Sequence, residues 1–160
     1  MKRDKSRITP ENITELKKNE VFVFGSNEAG VHGAGAALLA KQKFGAIEGK
    51  GWGPAGKTFA IPTKSWDVKG VLPLIVLECY VGRFSEYVAN HPEEQFLVTK
   101  IGCGLAGNSI EDIAPLFAGF EGFKNVALPQ NFWDVIDKTC REELVKLMSI
   151  ECDDGDKNEL

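Results

Sequence analysis

The stretch from Val21 to Ala37, VFVFGSNEAGVHGAGAA, decides the fold. It begins with four consecutive apolar residues, a pattern typical of a strand buried on both faces of a sheet. Gly25 ends this run, and further glycines follow before a segment rich in Ala and Leu. Such a composition predicts a helix over Gly33–Phe44, with Gly45 as its left-handed C-cap. A buried strand, a glycine-rich turn and a helix in succession indicate an α/β fold.

The alternation of strands and helices continues to the end of the chain. Apolar runs predict further strands over Thr58–Ile61, Gln95–Ile101 and Asn125–Leu128. Apolar spacings of three and four predict a helix over Leu74–Asn90 and another that includes Trp133 and Leu147. We therefore expect a three-layer α/β/α domain over residues 11–150 with a mixed, mostly parallel sheet. Residues 1–10 are expected to form a flexible arm, and residues 151–160 an acidic disordered tail.

Composition excludes several classes of protein. The 160 residues include 19 basic and 23 acidic side chains, for a net charge of −4, which argues against general nucleic-acid binding. The four cysteines form no CxxC pair, so we predict no metal site and no cofactor. No apolar run is long enough for a membrane span, and we expect a cytoplasmic protein with free thiols.

Two glycine-rich loops follow predicted strands. The first glycine loop is Gly25–Ala37, and the second glycine loop is Gly102–Ser109, GCGLAGNS. Ligands of open α/β sheets bind beyond the carboxyl ends of the strands, where glycines allow backbone N–H groups to surround a phosphate. Close packing of the helix on the sheet is the alternative explanation for the glycines of the first loop. A dinucleotide fingerprint would need a glycine at residue 38, where Leu38 stands, and no P-loop sequence is present.

These motifs resemble those of the macrodomain family. Asn12-Ile13-Thr14, the strand that ends in Gly25-Ser26-Asn27, and Gly33-Ala34-Gly35-Ala36 are similar to the opening of a macrodomain. The second glycine loop keeps the Gly-x-x-Gly core of the family's second phosphate loop. The resemblance covers roughly residues 11–130 and implies a macrodomain-like fold. It also implies that the chain binds ADP-ribose.

The resemblance assigns ligand contacts to individual positions. Asn12 and Ile13 would contact the adenine, although the family has Asp where this chain has Asn12. Asn27 would hold the distal ribose, beside Ser26. The diphosphate would lie between the two loops, in contact with Gly33, Ala34, Gly35, Ala36, Gly102, Cys103, Gly104, Leu105, Ala106, Gly107 and Asn108. Cys103 replaces a Thr of the family pattern.

His32 is the candidate general base, with Asn27 as the second candidate catalytic residue. An imidazole in the first glycine loop can activate water towards the anomeric carbon of a bound ribose. The alternative is a histidine that bonds a loop carbonyl or solvent. The expected function is binding of ADP-ribose or a related nucleotide diphosphate-ribose, with hydrolysis of an ADP-ribosyl ester or glycosidic bond left open. ADP-ribosylated macromolecules are a second class of expected partner.

Two alternative functions remain. The first is a non-catalytic module that reads ADP-ribose as a signal. The second is a Rossmann-like nucleotide phosphoribohydrolase, whose strand ending in Phe-Gly-Ser opens a similar site. The chain lacks the Gly-Gly-x-Gly-Thr turn and the catalytic Glu that those enzymes usually carry.

Overall fold

The fold is built on a five-stranded mixed sheet. The computed structural model describes residues 2–153, with side chains described for residues 2–150. The strands are β1 (Glu20–Asn27), β2 (Gly53–Ala55), β3 (Thr58–Lys64), β4 (Gln95–Val98) and β5 (Val126–Ala127). Their order across the sheet is β2-β3-β1-β4-β5. The pair β2–β3 is antiparallel and the other pairs are parallel, so the predicted α/β class with a mostly parallel sheet is confirmed.

Helices connect the parallel strands. They are α1 (Gly35–Leu39), which continues as a π-helical segment over Ala40–Phe44, α2 (Leu74–Asn90), α3 (Ile110–Ile113) and α4 (Gln130–Asp153). Ser109 caps α3 by accepting from the Asp112 N–H at 3.1 Å. Helix α3 gives way to a 3₁₀ helix over Ala114–Gly122, because Pro115 has no N–H for an α-helical bond. Within the described residues, no helix is both long and apolar enough to cross a membrane.

Strand β1 is buried on both faces, as its four apolar residues predict. Val21 and Val23 face a large core that also holds residues of α2, the 3₁₀ helix and α4. Phe22 and Phe24 face a smaller core on the other side, with Phe44 and alanines of the first helical segment. This alternation follows from the two-residue period of a strand.

The segment from Gly45 to Lys57 differs from the loop that the sequence predicts. It contains β2, which pairs with β3 from Gly53↔Ala60 to Ala55↔Thr58. Strand β3 also continues through Pro62 to Lys64. Pro62 is tolerated because it pairs with Ser26, where the register between β1 and β3 shifts. The Thr63 hydroxyl donates to the Ser26 carbonyl at 3.1 Å and stabilises this irregular point.

The N-terminal residues, where the sequence predicts a flexible arm, make contacts with the sheet and with the 3₁₀ helix. Ile8 forms a parallel bridge with Leu128. The Arg7 guanidinium donates to the carbonyls of Val126 at 2.9 Å and Phe120 at 2.8 Å. This packing could not be predicted from the sequence, because Ile8 is the single apolar residue by which the segment contacts the sheet. At the other end α4 includes residues 151–153 of the expected tail, and residues 154–160 lie outside the described part.

Candidate functional site

A cleft opens at the carboxyl ends of β1, β3 and β4, where the topology predicts a ligand site. It has a volume of about 450 Å³. Both glycine loops line it, through Gly25, Ser26, Asn27, Val31, Gly33, Ala34, Gly35, Ala36, Ala37, Gly102, Gly104, Leu105 and Ala106. The loops approach each other closely, since a Cβ added at Gly35 would lie 3.8 Å from Leu105 Cδ1.

Asn27 organises the first glycine loop. Its Nδ2 donates to the Val31 carbonyl at 2.8 Å, and its Oδ1 accepts from the Val31 N–H at 2.9 Å. The side chain is buried, yet Asn27 lines the cleft. An amide retains one further N–H and one further lone pair after these two bonds. Ser26 is also committed to the fold, because its hydroxyl donates to the Gly51 carbonyl.

The first glycine loop presents free backbone donors. Among the described residues, the five consecutive N–H groups of Gly33–Ala37 have no intramolecular acceptor. Gly33 and Gly35 are exposed, and all five residues line the cleft. Nothing lies within 4 Å of a Cβ placed at Gly33, so this glycine is not required by packing.

The second glycine loop closes on itself and also leaves donors free. Asn108 donates from its backbone N–H and its Nδ2 to the Gly102 carbonyl, each at 3.0 Å. Gly102 adopts φ +76°, a conformation that favours glycine. In the described part of the chain, the N–H groups of Gly102, Gly104, Leu105 and Ala106 have no intramolecular acceptor. These four residues all line the cleft.

Sequence reasoning missed two Thr-Lys pairs, one at the end of β3 and one directly after β4. Thr63-Lys64 and Thr99-Lys100 line the cleft. Neither lysine forms an ion pair or a side-chain hydrogen bond with a described residue. Among the described residues that line the cleft, the charged ones are Lys64 and Lys100. The cleft therefore favours an anion. The signal was present in the sequence as the same dipeptide after two apolar runs, in TFAIPTK and in QFLVTK.

A wider groove continues from the cleft. It has a volume of about 890 Å³ and shares Ala36, Thr99 and Lys100 with the cleft. Asn12 and Ile13, the residues that the resemblance assigns to the base, line this groove. Asn12 is exposed and Ile13 packs against the core under Phe22 and Phe24. The structure thus places the two predicted contact regions in neighbouring cavities that share lining residues.

His32 lies away from the cleft, which corrects its expected role as a general base. The side chain is fully buried, with 0% exposure, and its ring contacts Phe24 edge-on at 5.3 Å. Its Nε2 lies 3.0 Å from the Ile47 carbonyl and 3.2 Å from the Lys50 carbonyl. Because both partners are acceptors, Nε2 carries the hydrogen. His32 therefore holds the Ile47–Lys50 segment against the first loop and does not face a ligand.

Three predicted contacts of the second loop also lie outside the cleft lining, namely Cys103, Gly107 and Asn108. The Cys103 thiol is directed to the carbonyls of Ile101 and Ser109, at 3.6 and 3.8 Å. Burial raises the pKa of this thiol, and the nearby Glu111 carboxylate raises it further. Cys103 is therefore a packing residue with a protonated sulfur at neutral pH.

The described residues contain no group of three or more His, Cys, Asp or Glu side chains placed to hold a metal ion. Comparison of the chain with protein-family models, with curated proteins and with solved structures finds no match. The site must therefore be interpreted from its own geometry.

Proposed function

We propose that this protein binds ADP-ribose or a closely related nucleotide diphosphate-ribose. One observation carries the proposal: a single cleft, which adjoins a wider groove, is lined by two glycine loops with unsatisfied backbone N–H groups and by the lysines Lys64 and Lys100. The sequence resemblance to macrodomains supports the same ligand class. The fold alone would not, because α/β sheets carry many functions.

The diphosphate is the part of the ligand that the cleft fits best. Among the described residues, the N–H groups of Gly33–Ala37 on one side and of Gly102 and Gly104–Ala106 on the other have no intramolecular acceptor. Hydrogen bonds to charged oxygens are roughly twice as strong as neutral ones, so several such amides hold a diphosphate firmly. Lys64 and Lys100 add positive charge from the strand ends.

A reader module accounts for the site better than a hydrolase. General acid–base catalysis needs a titratable side chain within hydrogen-bond reach of the reacting group. The described lining of the cleft has neither a carboxylate nor an imidazole, and His32 is bonded elsewhere. Asn27 can orient a ribose hydroxyl but cannot accept a proton from water at neutral pH. We therefore propose recognition without turnover.

Calorimetric titration with ADP-ribose tests the proposed binding. We expect a single site, with affinity reduced about fivefold or more in Lys64→Met and in Lys100→Met, because each loses a charge-assisted contact. Lys69→Met is the matched control, since Lys69 is exposed and lies outside the cleft lining. Absence of binding by the wild-type protein, or an equal loss in the control, contradicts the proposal.

A turnover assay separates the reader from the hydrolase. The protein is incubated with O-acetyl-ADP-ribose and with an ADP-ribosylated protein, and release of ADP-ribose is measured. We expect no release above the rate without protein. Release that persists in a wild-type preparation and disappears in Lys64→Met would show that the cleft is catalytic.

A further inference from the structure

The second half of α4 extends beyond the body of the domain. Trp133 and Ile136 of its first half are buried in the large core, whereas residues 140–150 are all exposed. Helical segments of about 12–15 residues are only marginally stable in water, and in proteins most of their stability comes from packing of an apolar face. Residues 140–153 form a segment of this length. A surface that packs on this half of α4 would therefore stabilise it.

The exposed half of α4 carries an apolar stripe. Cys140, Leu144 and Leu147 follow one another at spacings of four and three residues, and they continue the face that the first half of α4 buries in the core. Met148 lies beside Leu144 on the same stripe. Leu144, Leu147 and Met148 are 58%, 61% and 67% exposed. Alternating spacings of three and four are those of the apolar positions that pair two helices, so the stripe fits a second helix.

Charge is distributed unevenly along this part of the chain. Residues 138–146 carry three basic and two acidic side chains, whereas residues 151–160 carry five acidic side chains and one basic. A parallel pair of such segments would place the two acidic ends side by side. An antiparallel pair places the acidic end of each segment beside the more basic part of the other, which is electrostatically favourable. This complementarity favours a second copy of the chain as the occupant of the stripe.

We propose that α4 pairs with α4 of a second copy, antiparallel and about a two-fold axis. Leu144 of each copy packs against Leu147 of the other, so that the apolar stripes interlock. In this register residue 153 of one helix lies level with residue 138 of the other, and each helix ends where the other domain begins. The contact is about four helical turns long, well short of the interface of a permanent dimer, so the dimer forms reversibly.

The pairing surface is separate from the candidate ligand site. Helix α4 begins beside the groove, which Gln130, Asn131 and Asp134 line. Leu144 lies ten residues beyond Asp134, about 15 Å further along the helix axis. Pairing therefore leaves the cleft and the groove open. The inference goes beyond the proposed function and does not rest on it.

Sedimentation equilibrium of the full chain tests the proposed dimer. We expect the average mass to rise with concentration from that of one chain towards that of two. Leu144→Gln and Leu147→Gln should each weaken the dimer about tenfold or more, because Gln buries less apolar surface and each change acts twice in a two-fold dimer. Both variants keep a good helix former. Val145→Gln is the matched control, since Val145 is 66% exposed on the same helix but lies off the stripe.

The dependence on NaCl concentration tests the antiparallel orientation. Salt screens attraction between opposite charges, so we expect the fraction of dimer to fall as NaCl is raised. A fraction that rises with NaCl indicates that like charges lie side by side, and it overturns the antiparallel pair.

The remaining outcomes are equally decisive. A monomer at every concentration up to millimolar overturns the proposal and leaves the stripe to a different partner. A dimer of equal strength in the wild type, both Leu variants and the Val145→Gln control also overturns it. Circular dichroism shows whether a Leu variant has lost helix, and the NaCl dependence of the wild type then decides. None of these results depends on whether ADP-ribose binds.

Discussion

At the scale of single residues, two polar side chains of the first glycine loop form hydrogen bonds with backbone groups and thereby hold the loop in place. Asn27 bonds both backbone groups of Val31, and His32 bonds two carbonyls of the Ile47–Lys50 segment. Side chains that satisfy buried backbone groups fix the path of a loop that has few apolar contacts. The loop is therefore prearranged before a ligand enters.

Replacement of His32 is expected to affect stability rather than chemistry. His32→Ala removes a fully buried ring and leaves the Lys50 carbonyl without its donor, so we predict a loss of about 2–4 kcal/mol in the free energy of unfolding. Urea denaturation measures this loss. His91→Ala, in a half-buried histidine stacked on Tyr87, serves as the control and should cost less. A stable His32→Ala protein that had lost a hydrolytic activity would restore His32 as a catalytic residue.

At the scale of elements, the glycines of the two loops fall into two kinds. Gly102 needs its positive φ, and a Cβ there would lie 3.2 Å from Ile113 Cδ1. Gly33 and Gly104 have neither a positive φ nor any atom within 4 Å of an added Cβ. The fold therefore does not require glycine at residues 33 and 104. The proposed ligand does require it there, because the ligand approaches the backbone closely.

We therefore predict opposite effects from alanine at these positions. Gly33→Ala and Gly104→Ala should keep the unfolding free energy of the wild type, or raise it slightly, and should weaken ADP-ribose binding tenfold or more by blocking access to the amides. Gly82→Ala, on the exposed face of α2, is the control and should stabilise by about 0.5–1 kcal/mol without affecting affinity. Urea denaturation and calorimetry measure the two quantities. Unchanged affinity in both loop variants would contradict the diphosphate site.

The turn that follows β3 borders the cleft through Val68, a β-branched residue held at φ +65°. Asp67 fixes this turn by accepting from the Ser65 hydroxyl at 2.6 Å and from the N–H groups of Lys69 and Gly70. These bonds, with that of Ser65 the largest cause, lower the pKa of Asp67 below its ordinary value of 3.8. A lowered pKa means that the stabilisation is fully present above the unfolded pKa and is lost as pH falls through the folded pKa.

The amide signals of Lys69 and Gly70 should consequently titrate with a midpoint below 3.8, as NMR measures. Asp67→Asn removes the titrating group and should abolish this transition. A midpoint at or above the ordinary value would show that the turn is not held by the ionised Asp67.

How far the elements follow from the sequence depends on the source of their stability. The four apolar residues of β1 and the spacing of α2 specify those elements directly, because burial repeats with their own periods. Strand β2 could not be predicted in this way, because Gly53-Pro54-Ala55 has low strand propensity. The strand forms through its pairing with β3. The glycine loops could be predicted as a pair, but the orientation of His32 could not, because its carbonyl partners come from a different segment.

At the scale of the whole molecule, the N-terminal residues close one side of the fold and form part of the groove wall. Arg7 lies over the Trp133 ring at 5.1 Å and donates to two carbonyls, while the Trp133 Nε1–H donates to the Arg7 carbonyl at 2.7 Å. Residues Ile8–Thr14, which follow directly, line the groove. The wall of the groove therefore depends on contacts between the N-terminal residues and α4.

Replacement of Arg7 is expected to lower the stability of the whole molecule. Arg7→Ala leaves the Val126 carbonyl without its donor, removes one of the two donors to the Phe120 carbonyl and removes the guanidinium from the Trp133 ring, so we predict a loss of about 2–3 kcal/mol in unfolding free energy. Arg141→Ala, on an exposed part of α4, should remain within about 0.5 kcal/mol of the wild type. Denaturant titration compares the two variants. Equal stability of both would mean that the N-terminal residues are a dispensable arm after all.

The central claim is that two glycine loops hold a diphosphate through backbone N–H groups that have no acceptor within the chain. An NMR titration of the ¹⁵N-labelled protein with ADP-ribose tests it most directly, because each amide reports its own hydrogen bond. We predict large downfield shifts for amides within Gly33–Ala37 and within Gly102–Ala106, and no shifts for the amides of α2. Saturable shifts confined to other regions, or no shifts at all, would contradict it.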